Sequence, residues 1–204
     1  MKIVHRCAWV NLKNPLYVDY HDREWGHRPR NDQALYELFI LETFQAGLSW
    51  ECVLNKRAAI RAAFEDFDVA RICAYGDADI ERLMATDGII RNRAKLKAAV
   101  TNTCVYQSIC SEFGTFGKYI ESFAGKKPTV EVYTLRTTSP VSDALSADMR
   151  RRGMKFVGST TIYAFLQAAG FLNAHGPECE LCGKMKRSRR PKHIDANKSI
   201  DFLA

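Results

Sequence analysis

An all-α fold is predicted by three observations. Apolar residues recur at helical spacing over most of the chain, residues able to cap helices stand just before those stretches, and no alternating apolar–polar run is long enough to build a sheet. No internal repeat is present either. The first 30 residues are aromatic and read as loop, with Pro15, Gly26 and Pro29 interrupting any long helix. Asp32 then caps a helix running to about Ala46, in which Leu35, Leu38, Phe39 and Glu42 fall within one narrow stripe. A second helix follows Ser49, with Val53, Leu54, Ile60 and Phe64 among its apolar positions. Short helices are predicted near 69–74 and 77–86, a longer one over 92–106 and another over 115–123. Residues 125–140 read as loop, with a short extended piece at 130–133.

The last pair of helices is the most informative. Ser139 or Ser142 starts a helix that ends in Arg150-Arg151-Arg152-Gly153, with cations at its C-terminus and a glycine where a left-handed cap is wanted. Lys155-Phe156-Val157-Gly158 then makes a tight turn, and Ser159 or Thr160 caps an apolar helix through about Ala169. Small residues at such a turn expose backbone N–H groups at a helix N-terminus, where a phosphate binds readily, and Lys155 adds a point charge. On the local pattern alone, an ordinary hairpin whose turn simply packs is slightly favoured, because glycine-containing turns between helices are common.

Composition bounds the function. A chain of 204 residues with 47% hydrophobic content can bury one sizeable core, here expected over residues 1–182, with a basic tail over 183–204. No run of 18 apolar residues exists and the N-terminus lacks an apolar leader, so a cytoplasmic protein with no membrane partner is expected. Of the formal charge of +7, the tail carries +5 and residues 1–182 only +2. Lys184 to Lys192 reads as a basic arm that either grips phosphates by counterion release or merely aids solubility.

Glu42 places an ionisable group where the core should be. A buried carboxylate is costly unless paired or hydrogen-bonded, so it belongs either to a structural ion pair or to a site. The cysteines divide in a similar way. Cys52, Cys73, Cys104 and Cys110 sit inside helical patterns, where small buried hydrophobes are the ordinary reading. Cys7, Cys179 and Cys182 stand instead in irregular terminal segments beside His21 and His175. Zinc takes four N or S ligands tetrahedrally, and here five candidates compete for four places.

The sequence resembles the DNA-3-methyladenine glycosylase I family of base-excision enzymes. The resemblance rests on Arg6-Cys7-Ala8-Trp9-Val10, Pro15-Leu16-Tyr17, Tyr20-His21-Asp22, Glu24-Trp25-Gly26 and Leu41-Glu42 with Gln45 to Trp50. It continues through Gly88-Ile89-Ile90-Arg91, Ser142-Asp143-Ala144-Leu145, Lys155-Phe156-Val157-Gly158 with Thr160, and Asn173 with His175 and Cys179. These segments occur in the family's order. At Thr43-Phe44, beside the expected pocket, the chain departs from the pattern.

The resemblance implies a helix-hairpin-helix glycosylase fold, with a small zinc-binding lobe from about 1–30 and 170–182 joining the termini. It implies hydrolysis of the N-glycosidic bond of 3-methyladenine in double-stranded DNA, by a monomer, as the first step of base excision repair. Carried over by residue, Cys7, His21, His175 and Cys179 hold one structural Zn2+, leaving Cys182 as the spare. Glu42 is the pocket carboxylate that reads the base, Tyr20 a hydrogen-bonding ring and Trp50 the ring on which the base stacks. Trp9, Tyr17 and Trp25 belong to the same aromatic cluster, with packing the preferred role for Trp25. Lys155, Val157, Gly158, Ser159 and Thr160 form the DNA-binding hairpin.

Overall fold

The computed structural model describes residues 5–130 and 136–184, so the basic arm and part of the predicted extended piece lie outside the described residues. The order of elements is α1 (Pro15–Arg23), α2 (Asp32–Gln45), α3 (Trp50–Ala63), a 3-10 turn (Glu65–Phe67), α4 (Val69–Cys73), α5 (Asp77–Ala85), α6 (Arg93–Phe113) and α7 (Phe116–Ala124). Then follow β1 (Thr129–Val130), α8 (Pro140–Arg151), α9 (Ser159–Ala168), β2 (Leu172–Asn173) and α10 (Glu180–Lys184). The chain is thus mostly helical, as predicted, with one correction: β1 and β2 pair in parallel over two residues each. No helix among the described residues is long and apolar enough to cross a membrane.

The first departure from the sequence reading is α1. Pro15 does not interrupt this helix but starts it, because the first turn needs no proline N–H, and the Asn14 side chain accepts from Leu16 N–H. The second concerns Asp32. Asn31 caps α2, with its Oδ1 accepting from Ala34 N–H at 2.9 Å. The Asp32 carboxylate reaches across instead to the start of α7, accepting from the N–H groups of Phe116 and Gly117 at 2.8 Å each. Spacing along the chain reveals a capping residue but not which helix it caps.

α2 is the central helix, packed against α3, α6, α7 and α9. Its ten residues from Leu35 to Phe44 are all buried, so Glu42 does not mark one stripe of an amphipathic helix; it interrupts a helix buried all round. Lys95 of α6 closes the C-terminal end of α2, donating from Nζ to the carbonyls of Phe44 and Ala46 at 2.8 and 2.6 Å. Thr43 and Phe44 turn away from any pocket: Thr43 Oγ1 donates to the Ile40 carbonyl, and Phe44 packs its ring edge-on to Phe64. α6 runs about two turns beyond the predicted end and stops at Gly114. Cys52, Cys73, Cys104 and Cys110 lie on its flanks and neighbours, half-buried rather than buried.

The N-terminal segment docks on the end of α9 through two glycines. Gly26 N–H donates to the Ala168 carbonyl at 3.0 Å, and a Cβ on Gly170 would lie 2.6 Å from the Gly26 carbonyl oxygen. The obstruction is backbone, which cannot rotate aside, and Gly170 also adopts φ +67°. Gly170→Ala is therefore expected to lower stability by about 2 kcal/mol or more. A urea midpoint unchanged in that variant would show that the segment is not docked this way.

Candidate active site and metal centre

Where α1, α2, α3 and α9 converge there is a cavity of about 200 Å³, lined by Trp9, Tyr17, Tyr20, Trp25, Glu42, Gln45, Trp50, Ala164 and Gln167. That is smaller than the roughly 300–1,000 Å³ of sites for drug-sized ligands and suits one planar heterocycle. Three of its walls are aromatic. Tyr20 and Trp50 lie 5.1 Å apart between ring centroids, Trp9 and Tyr17 5.4 Å, and Trp9 and Trp25 4.9 Å.

The floor carries two unsatisfied polar atoms. Glu42 Oε2 and Trp50 Nε1 are buried without a hydrogen-bond partner, the only such side-chain atoms among the described residues. Burial alone pushes the Glu42 carboxyl up to about 8. A second buried acid on the same helix shows how a structural carboxylate behaves. Glu37 accepts from Arg57 Nε at 3.0 Å and lies 3.4 Å from Arg61 Nη1. One acid is locked to arginines while the other faces a hollow, so among the described residues Glu42 is not a member of a structural ion pair. In the free protein Glu42 therefore holds its proton at neutral pH. No lysine lines the cavity among the described residues, so nothing beside Glu42 is placed to form a Schiff base.

Next to this cavity, Cys7, His21, His175 and Cys179 bring four buried ligand atoms within 4.8 Å of one another. The S···N separations are 3.5 Å (Cys7–His175), 3.6 Å (Cys179–His21) and 3.4 Å (Cys179–His175). A tetrahedral ion bonded at about 2.3 Å to sulfur and 2.0–2.1 Å to nitrogen spaces such donors by about 3.5 Å, so the four residues fit a metal ion. Cys182 is buried but outside the cluster. The surroundings suit ligation as well. His21 presents Nε2 to the cluster while Nδ1 lies 2.9 Å from Asp22, whose carboxylate pairs with Arg6 and is held below the usual carboxylate range by it. Gly176 N–H points at Cys7 Sγ, 3.4 Å away. The backbone of Glu180 donates to the His5 carbonyl, so the two ends of the described chain meet here.

A sequence profile of the methyladenine glycosylase family matches residues 9–182. The chain belongs to the methyladenine glycosylase family. Among its relatives in this family, DNA-3-methyladenine glycosylase 1 of Escherichia coli (strain K12) is 41% identical over 180 residues, covering 86% of this chain and 96% of that protein. DNA-3-methyladenine glycosylase of Haemophilus influenzae is 42% identical, covering 85% and 96%. A solved structure of a variant 3-methyladenine DNA glycosylase I in complex with 3-methyladenine superposes with a TM-score of 0.81 at 35% identity, covering 86% of this chain and 96% of that one.

Against the residues that the family resemblance singled out, the geometry is specific. Glu42, Tyr20, Trp50, Trp9 and Tyr17 come together in the cavity, and Trp25, expected only to pack, lines it too. Gln45, Ala164 and Gln167 had no expected role. Gln167 could have been found by the same signal as Glu42, because it is a polar residue inside an otherwise apolar helix, one turn from Ala164. In the α8–α9 turn, Lys155 and Thr160 are exposed but the Val157 side chain is buried. The N-cap of α9 is Gly158, not Ser159 or Thr160, and the Ser159 hydroxyl is turned to Ser142 and Asp143. The first N–H groups of α9, which no side chain caps, are thus left to donate to an acceptor from outside the helix. The start of α8 follows the sequence reading, with Ser139 as cap and Ser142 completing a capping box.

Proposed function

We propose that this protein is a monofunctional DNA repair glycosylase that hydrolyses the N-glycosidic bond of 3-methyladenine in alkylated duplex DNA. The observation that carries it is the unpaired Glu42 carboxyl beside Trp50 and Tyr20 in an aromatic-lined cavity. A stacked nucleotide must be swung out of the duplex for its glycosidic bond to be reached, and a damaged, poorly paired base is cheaper to extract. Methylation at N3 makes adenine cationic. Facing a cation, Glu42 gives up its proton, and its carboxylate accepts from the exocyclic amine. The rings of Trp50 and Tyr20 add cation–π attraction of about 1–2 kcal/mol in a dry site. Neutral adenine gains little from either, so the cavity selects by charge as well as by shape.

Glu42 raises the rate only to the extent that it stabilises the charge moving onto the sugar more than the charge of the bound base. The α8–α9 turn is read as a helix-hairpin-helix element that holds DNA phosphates through Lys155 and the first N–H groups of α9. Cys7, His21, His175 and Cys179 are read as ligands of one Zn2+, forming a lobe that ties residues 1–30 to 170–182. With four protein ligands it has no open position and supplies folding energy rather than chemistry. Residues 183–204 are read from the sequence as a basic tail, and the working unit as a cytoplasmic monomer.

The test is to incubate the protein with alkylated duplex DNA and identify the released bases by chromatography. Release of 3-methyladenine supports the proposal; release of nothing marks a DNA-binding module without activity, and a mixture of alkylated bases marks a broader specificity. Trp50→Ala is expected to raise KM for this release about tenfold to a hundredfold, the worth of one stacked base. Wild-type kinetics in that variant would remove Trp50 from the pocket.

A further inference from the structure

Asn102, in the middle of α6, is fully buried, and its side-chain amide spans the backbone of one residue of the α8–α9 turn. Its Nδ2 donates to the Lys155 carbonyl at 2.9 Å, and its Oδ1 accepts from the Lys155 N–H at 2.8 Å. Two residues further on, the buried Ser146 of α8 donates from Oγ to the Val157 carbonyl at 2.6 Å. Phe156 lies between these two pinned residues at φ +55°, a left-handed conformation that costs a side-chain-bearing residue on the order of 1–2 kcal/mol. The turn therefore does not hold its shape by local preference. Two buried side chains hold it from behind, one of them on a helix that belongs to neither arm of the hairpin. Meanwhile the side chains of Lys155 and Phe156 face solvent.

We infer that Asn102 is a positioning residue for DNA binding: it fixes the direction of Lys155 and of the N–H groups opening α9 without touching DNA or base. The inference rests on reading the α8–α9 turn as the DNA-binding element. Its chemistry is that of a primary amide, which alone offers a donor and an acceptor side by side to match the N–H and C=O of a single residue. Alanine leaves both backbone groups of Lys155 unsatisfied. Aspartate keeps the acceptor but sets a second oxygen against the Lys155 carbonyl.

The experiment compares Asn102→Ala, Asn102→Asp, Asn102→Ser and Lys155→Glu in the full chain. Three quantities are read: the Kd for undamaged duplex DNA by fluorescence anisotropy, KM and kcat for base release from alkylated duplex, and the Kd for free 3-methyladenine by calorimetry. The Asn102 variants are expected to raise the DNA Kd and KM about tenfold or more, as the loss of two buried hydrogen bonds requires. Serine, whose hydroxyl ends one bond short of the amide's oxygen and nitrogen, is expected to behave like alanine. In the Asn102 variants kcat and the affinity for the free base stay unchanged, and that affinity also shows that the fold is intact. If Lys155→Glu weakens DNA binding while the Asn102 variants bind normally, the inference is overturned and the hairpin reading stands. If all four bind DNA normally, the hairpin is not the DNA element and both fail. If free-base affinity falls in step with DNA affinity, Asn102 is a general structural residue and the inference is again overturned.

Discussion

Glu42→Gln is expected to make the protein less active and more stable at the same time. The loss of activity follows from removing the only carboxyl among the described residues that line the cavity; losing one such preorganised electrostatic partner costs on the order of a hundredfold to a thousandfold in rate. The gain in stability follows from linkage. Glu42 has its carboxyl pushed up to about 8 by burial, against an ordinary value of 4.5. Between those two values the folded state holds a proton that the unfolded state has released, so rising pH favours unfolding by about 1.4 kcal/mol per unit. Below pH 4.5 both states are protonated and the acid and the amide are equivalent. By pH 7.5 the variant should be ahead by about 4 kcal/mol, and above pH 8 the difference levels off. Denaturation curves of the two proteins at pH 4.5, 6, 7.5 and 8.5 test this directly; midpoints that stay parallel would mean that Glu42 is not desolvated. The same titration shapes activity. Because the cationic lesion is met by the ionised carboxyl, kcat/KM in the wild type should climb about tenfold per pH unit toward an apparent pKa near 8 and then flatten.

The second large effect is loss of the metal. Purified protein is expected to carry about one zinc per chain, the stoichiometry of a single closed four-ligand site. Cys7→Ser should abolish it and lower stability by several kcal/mol. The loss should remain below the roughly 10–16 kcal/mol of zinc-finger peptides, because the core around α2 does not depend on the ion. A Cys7→Ser protein that keeps both its zinc and its thermal midpoint would reject the ligand set. The variant should also bind free 3-methyladenine more weakly, because Trp25 packs edge-on to His175 at 4.6 Å and Trp9 to His21 at 5.3 Å. With the imidazoles released, the far wall of the cavity loses its backing.

Much of this was legible in the chain. Capping residues placed most helices to within a residue or two, because Ser49, Asn92, Thr115 and Ser139 each cap the helix that follows them. What local pattern missed was anything that depends on a partner distant in sequence. Asp32 has the right chemistry for a cap but caps α7, and the two-residue bridge of β1 and β2 joins segments some forty residues apart. Spacing left five candidates for four metal positions, and only the fold separates Cys182 from the rest. For Glu42 the sequence showed an acid in an apolar helix. It could not show that Glu37, five residues earlier, takes the arginines and leaves Glu42 alone.

The chain has three tryptophans, and all of them line one cavity. Its tryptophan emission therefore comes from a single place, with one indole beside Tyr20 and two against the clustered histidines. Proton release, occupancy of the cavity and integrity of the lobe each change the surroundings of a different member of that trio. An unlabelled sample in a cuvette thus reports on all three, with no dye and no engineered probe.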